Sequence, residues 1–95
     1  MTNSLPTIEL LETTHSFPTT YMFKVIGKSD RGFVGRAVAA LRDELGLDID
    51  PPYVTRDAVG GRHVSVTISP MLLRPQQVID IYQRLAKLDG LVMLL

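Results

Sequence analysis

The stretch from Tyr21 to Leu45 constrains the fold most, because a strand period passes directly into a helix period within it. Apolar and aromatic residues alternate with other residues over 20–27, which predicts a first strand. Lys24 must reach water, so the opposite face of that strand is predicted to enter the core. The predicted core positions are Tyr21, Phe23 and Val25.

A helix is predicted to follow, since apolar residues recur at helical spacing from Phe33 to Leu45. Either Ser29 or Asp30 is expected to cap its first turn by accepting a hydrogen bond from a free backbone N–H. Gly46 is suited to the left-handed conformation that commonly ends a helix. The unit is therefore a strand, a polar turn and an amphipathic helix.

The middle of the chain predicts a β-hairpin. The run Tyr53–Ala58 favours a strand, Gly60–Gly61 supplies the turn, and Arg62–Ser69 alternates apolar with polar residues. The polar set of that third strand indicates a sheet with one face free of helices.

A second strand–helix pattern closes the sequence. Pro70 ends the third strand, and Pro75 suits the first turn of a second helix. Leu91–Leu95 is predicted to be the last strand. The apolar stripe of the second helix is predicted to contain Val78, Ile79, Tyr82, Leu85, Ala86 and Leu88.

This order predicts an α+β protein: a ferredoxin-like βαββαβ sandwich, with a four-stranded antiparallel sheet and two helices on one face. The first and third strands would be central, and the second and fourth would be edges. Residues 19–95 form the predicted domain. Residues 1–18 are predicted to be a flexible or short helical lead-in, in which Ile8, Leu10 and Leu11 could dock on the body.

The composition argues against several classes of function. Ten basic and ten acidic residues balance, which disfavours nucleic acid and anionic membrane as partners. Without cysteine there is no thiolate nucleophile or cysteine metal site, and with two histidines, His15 and His63, no metal and no cofactor are predicted. No signal peptide or membrane span is recognised, so we expect a cytoplasmic protein.

An apolar patch on the open face of the sheet is the predicted interface. The first and last strands are neighbours in this fold, and apolar residues fall on both sides of the last strand, so the patch forms whichever set faces inward. We expect a homodimer or a protein partner here or at the edge strand. The tentative interface residues are Met22, Ile26, Val92 and Leu94.

Several features follow one another in order from about Phe17 onward: Phe17-Pro18, the strand 23–27, the strand 63–68, the helix with Gln77, Tyr82 and Leu85, and the apolar last strand. In this combination the sequence resembles the YbeD-like family of small bacterial proteins of unknown function. The resemblance implies a ferredoxin-like fold similar to ACT regulatory domains, and it implies no catalytic residue.

A second resemblance is local. Residues 27–34 look like the strand-to-helix turn of ACT domains without its proline, and residues 88–92 look like the end of such a domain. The resemblance implies an amino acid or small carboxylate effector at the turn, commonly at a subunit interface. The tentative ligand residues are Gly27, Ser29, Asp30, Arg31, Gly32 and Phe33. Helix capping by Ser29 or Asp30 explains the same residues without a ligand.

No nucleophile–base pair is recognised, so we expect a non-enzymatic module that regulates or scaffolds through protein contacts. A small-molecule sensor of ACT type is the alternative. An RNA-binding module is a third reading, which the missing aromatic platform on the third strand disfavours.

Overall fold

The computed structural model describes residues 5–58 and 60–95. In chain order, the helices are α1 (Ile8–Thr14), α2 (Phe33–Leu45) and α3 (Pro75–Leu85). The strands are β1 (Thr19–Thr20), β2 (Phe23–Lys28), β3 (Tyr53–Asp57), β4 (His63–Ile68), β5 (Met71–Leu72) and β6 (Leu91–Leu94).

Four of the strands form an antiparallel sheet in the order β3-β4-β2-β6. Two strand–helix–strand units interleave in it, so β2 and β4 are central while β3 and β6 are edges. The buried side chains of β2 and β4 lie on one face, against α2 and α3. The α+β, ferredoxin-like architecture is therefore confirmed, together with its strand order.

The core lies between the two central strands and the two long helices. Phe23, Phe33, Leu41 and Val78 are fully buried in it. Three further buried members lie outside the predicted apolar stripes: Ala40 in α2, Ile81 in α3 and Leu72 in β5. Ala86, which was predicted for the stripe of the second helix, follows α3 and is exposed. Tyr21 is half-buried and packs at the margin of the core.

Several element boundaries differ from the sequence-based prediction. The first strand begins at Phe23, because Tyr21 donates its backbone N–H to the Pro70 carbonyl at 3.0 Å and belongs to a separate connection. There, β1 pairs with β5 in a small two-stranded sheet. The predicted hairpin is present between β3 and β4, and Gly60 and Gly61 both have positive φ.

The predicted cap of α2 is wrong. The residue before the helix is Gly32 at φ 103°, and neither Ser29 nor Asp30 donates or accepts a capping bond there. The Asp30 carboxylate is directed instead to Arg36. The other end is as predicted, since Gly46 ends α2 in the left-handed conformation at φ 65°.

The lead-in contains a real helix. Thr7 caps α1 by accepting the Leu10 N–H at 3.1 Å, and Leu11 is only 2% exposed. α1 packs against α3, on the helix side of the molecule. Between Leu5 and Pro18, the lead-in therefore extends the helical layer of the domain.

Candidate functional site

The loop between β2 and α2 meets the turn between α3 and β6. Lys28 donates its backbone N–H to the Gly90 carbonyl at 2.9 Å. The Arg36 Nη2 lies 3.1 Å from the Asp89 carbonyl and 3.1 and 3.2 Å from the two Asp30 carboxylate oxygens. The two stretches that separately resemble ACT domains are thus joined by one arginine, and we call Asp30, Arg36 and Asp89 the clasp.

Two of the tentative ligand residues are packing residues. Gly27 is buried in β2, and a Cβ placed there would lie 2.2 Å from the tip of the Phe33 ring. Phe33 has no exposed surface. The ring therefore occupies the space that a side chain at position 27 would need, and both residues are buried.

The remaining tentative ligand residues, Ser29, Asp30, Arg31 and Gly32, are exposed. The Asp30 carboxylate already accepts from Arg36, so it could hold an ammonium group only in competition with that guanidinium. The sequence does not indicate a role for Arg36, because no local spacing connects it with Asp30 and Asp89. Its Nε is buried and has no hydrogen-bond partner among the described residues.

The last strand contains a β-bulge that changes which side chains face the helices. Leu94 pairs with Val25 and Leu91 with Gly27, both on the helix side, while Met93 pairs with Ile26 on the open face. Leu91 and Leu94 pack against the core. The placement of Leu94 in an open-face patch was therefore wrong, and Met93 takes that position beside Ile26.

The other tentative interface residues remain at the surface. Val92, the extra residue at the bulge, is 50% exposed, and Met22 is exposed just before β2. Ile26 is half-buried on the open face. Leu95, which donates its N–H to the Lys24 carbonyl at 2.9 Å, adds another exposed apolar side chain at the end of β6.

A mainly apolar groove of about 790 Å³ runs along this same edge. Tyr82, Gln83, Ala86 and Lys87 form one wall, β6 forms the other, and Leu5 contributes at one end. Because β2 is the only strand of the described residues that pairs with β6, the outer side of β6 presents backbone N–H and C=O groups that no described strand pairs with. We call β6 and this groove the β6 edge.

An aromatic cluster supports the groove from inside. The Phe23 ring lies 5.0 Å from Tyr21 and 5.1 Å from Tyr82, and Tyr21 lies 5.1 Å from His15. Burial raises the pKa of the Tyr82 hydroxyl, and the adjacent Tyr21 hydroxyl adds to the shift. Sequence spacing did not reveal this cluster, since its members come from the lead-in, the connection before β2, β2 itself and α3.

Within 5–58 and 60–95, histidine and acidic side chains do not gather in groups of three or more that could hold a metal ion. Over the same residues, no helix combines the length and the apolar character needed to cross a membrane.

Comparison with known proteins relates most of the chain to one family. Residues 12–95 match the family model described as "Protein of unknown function (DUF493)". A "UPF0250 protein" of Shewanella piezotolerans (strain WP3 / JCM 13877) is 32% identical over 82 residues, which cover 86% of each chain. A "UPF0250 protein" of Shewanella halifaxensis (strain HAW-EB4) is 29% identical over the same shares. The chain therefore belongs to the DUF493 family of small bacterial proteins of unknown function, the YbeD-like family that its strands and second helix resemble.

Proposed function

We propose that this protein is a non-enzymatic module that regulates or scaffolds through protein contacts made at the β6 edge. The observation that carries the proposal is the combination of an unpaired edge strand with an apolar groove beside it. A strand added to such an edge gains main-chain hydrogen bonds, and the groove accepts its alternate side chains. A second copy of the chain or another protein could supply that strand.

The exposed side chains of the β6 edge support this reading. Val92 and Met93 are each about half exposed, at 50% and 49%, and Leu95 is exposed beside them. Monomeric proteins seldom leave contiguous apolar side chains next to a free strand edge, because such edges pair with other chains.

The test compares the two edges of the same sheet. Val92 on β6 and Thr55 on the helix side of β3 are both exposed and similar in size, so each is replaced in turn by a photo-crosslinking phenylalanine analogue and irradiated in the host cell. We expect discrete crosslinked protein adducts from position 92 and few from position 55.

Sedimentation separates self-association from a different partner. If the partner is a second copy, wild-type protein and Thr55→Lys should sediment as dimers, and Val92→Lys should be monomeric. If the partner is another protein, all three are monomers while the adducts at position 92 persist. Monomers without any adduct at position 92 would refute the proposal.

The alternative, an ACT-like sensor of amino acids or small carboxylates, has weaker support. Its loop is joined to the α3–β6 turn by the clasp, and two of its six tentative residues are buried in packing. A thermal-shift screen of amino acids and small acids tests it directly. A shift that is lost in Gly32→Val but unaffected by Val92→Lys would favour the sensor over protein contacts.

A further inference from the structure

The chain has no net charge, but its basic and acidic side chains lie on different parts of the surface. On the open face of the sheet, the charged side chains are all basic. Residues directly opposite each other in an antiparallel pair lie on the same face, so the registers define three rows across that face. The first row is Val54, Thr67 and Lys24; the second is Arg56, Ser65, Ile26 and Met93; the third is His63 and Lys28.

None of the acidic residues takes a place in these rows. The one acidic residue in the four-stranded sheet, Asp57, pairs with buried Val64 and so lies on the helix side. The ion pairs found among the described residues use Arg36, Arg42 and Arg84, which leaves Lys24, Lys28 and Arg56 without a carboxylate partner there. The open face is therefore positively charged, although the net charge of the chain is zero.

Apolar side chains lie between these cations. Ile26 lies on β2 between Lys24 and Lys28, Met93 ends the middle row beside it on β6, and Val54, at the end of the first row, is 68% exposed. Lys24 and Lys28 are four positions apart in β2, about 13 Å along the strand. The surface thus combines a short apolar strip with cations on its flanks.

We infer that the open face of the sheet binds an acidic, amphipathic segment of a partner protein. Carboxylates of such a segment would meet Lys24, Lys28 and Arg56, and its apolar side chains would cover Ile26 and Met93. This inference rests on the proposed role in protein contacts, and it adds a second surface with its own charge requirement.

Two other occupants fit this surface less well. A second copy packed face to face would bring identical cations together, which opposes association. Single-stranded nucleic acid binds by stacking its bases on aromatic side chains, and the rows contain no phenylalanine, tyrosine or tryptophan.

The test uses a fluorescein-labelled peptide of about ten residues that alternates glutamate and leucine, long enough to span the rows. Binding is followed by fluorescence anisotropy at low and high salt, and the contacted residues are mapped by NMR shift changes. Matched probes are a lysine–leucine peptide, a glutamate–glutamine peptide and a short oligothymidylate. We expect the glutamate–leucine peptide to bind best, with shifts at Lys24, Ile26 and Ser65.

Charge variants decide whether this face is responsible. The double variant Lys24→Glu with Arg56→Glu should weaken binding about tenfold, since it removes two ion pairs and adds repulsion. The control, Arg74→Glu with Arg84→Glu, makes the same change in net charge at exposed positions on the helix side of the molecule, outside the rows. It should change affinity by less than about twofold. If the reversal unfolds the protein, Lys24→Gln with Arg56→Gln replaces it and should weaken binding about threefold.

Equal losses in both double variants would overturn the inference, as would tighter binding of the lysine–leucine peptide or of the oligothymidylate. Failure of the peptide with persistent crosslinks at Val92 would defeat this inference alone. Peptide binding at the rows without any crosslink at Val92 would defeat the proposed β6 contact instead.

Discussion

At the scale of single residues, Gly27 and Phe33 depend on each other. The sequence marks Gly27 as the end of a strand, whereas the structure buries it beneath the Phe33 ring. The ring covers the peptide backbone at that point, so the contact needs the absence of a side chain. Gly27 is therefore required for packing. A ligand-binding loop would also favour glycine at this position, but for a different reason.

Gly27→Ala should lower the free energy of unfolding by about 2 kcal/mol, because the new methyl group would force the Phe33 ring out of a filled core. Urea denaturation measures the change. Gly35→Ala is the control: it is also a glycine, lies within α2, and has open space around its Cβ position. That change should stabilise the protein by about 0.5 kcal/mol through helix propensity. Equal effects at both positions would contradict the packing account.

The raised pKa of Tyr82 predicts that the folded protein loses stability at alkaline pH. Its folded pKa lies above the unfolded value of about 10, so the folded state retains the proton longer than the unfolded state does. The contribution is complete below pH 10 and is lost as the pH rises further. Between pH 8 and pH 11 we expect the wild type to lose about 1 kcal/mol more stability than Tyr82→Phe.

Urea denaturation at the two pH values gives this comparison. Tyr53→Phe, at an exposed tyrosine on β3, is the matched control and should follow the wild type. A wild type and Tyr82→Phe that decline in parallel would show that Tyr82 does not carry the effect.

At the scale of elements, the strand and helix types followed from periodicity, but the faces of β6 did not. Alternation over residues 91–95 allows either set to face inward, and a regular strand cannot place both Leu91 and Leu94 on one side. The bulge at Val92 makes that possible. A bulge depends on the neighbouring strand, here at Gly27, so the sequence of β6 alone could not reveal it.

The prediction of the residue that caps α2 was wrong for a related reason. Ser29 and Asp30 have good capping chemistry, but the helix begins three residues after Asp30. The Asp30 carboxylate accepts from Arg36 instead. Arg36 also donates to the Asp89 carbonyl in the α3–β6 turn, 53 residues from Arg36 along the chain. Local capping preference was overridden by tertiary contact.

The lead-in helix gives a direct prediction about stability. Leu11→Ala should lower the free energy of unfolding by about 2 to 3 kcal/mol, because Leu11 is a buried member of the core. Leu10→Ala in the same helix is the control, since Leu10 is 54% exposed and should cost less than about 0.5 kcal/mol. Thermal or urea unfolding distinguishes them. Similar small costs for both would mean that α1 is not part of the folded core.

At the scale of the whole molecule, the strands of the sheet differ in how far they are buried from solvent. Residues 53–57 of β3 are all exposed, including Tyr53, Thr55 and Asp57 on the helix side. The core is centred on β2 and β4, so the outer strand is held mainly by its hydrogen bonds to β4. From the sequence, Val54 and Thr55 indicated a strand within 53–58, but the pattern did not indicate that this strand would lie outside the cover of the helices.

Amide hydrogen exchange should therefore be much faster in β3 than in β2 and β4, by about a hundredfold or more, because an exposed edge opens without breaking the core. NMR exchange measurements on the native protein resolve the individual strands. Exchange from Thr55 as slow as from Val66, its partner in β4, would show that β3 opens only with the whole domain.

The order of elements therefore predicted the fold, while the candidate sites depended on contacts between distant parts. Two ACT-like stretches were recognised separately, and the structure joins them through Arg36, which neither stretch singled out. The positive charge of the open face could not be predicted either, because equal totals of ten basic and ten acidic residues do not show where the charges lie.

The bulge in β6 bears on how far any assembly through this strand can grow. A flat, regular edge would allow strands to add without limit, as in a fibril, whereas an extra residue bends and twists the row of free N–H and C=O groups. Val92 sits at that irregularity. An edge of this shape favours one docked strand over a growing stack, so deletion of Val92 would be expected to regularise the edge and promote fibrillar aggregation.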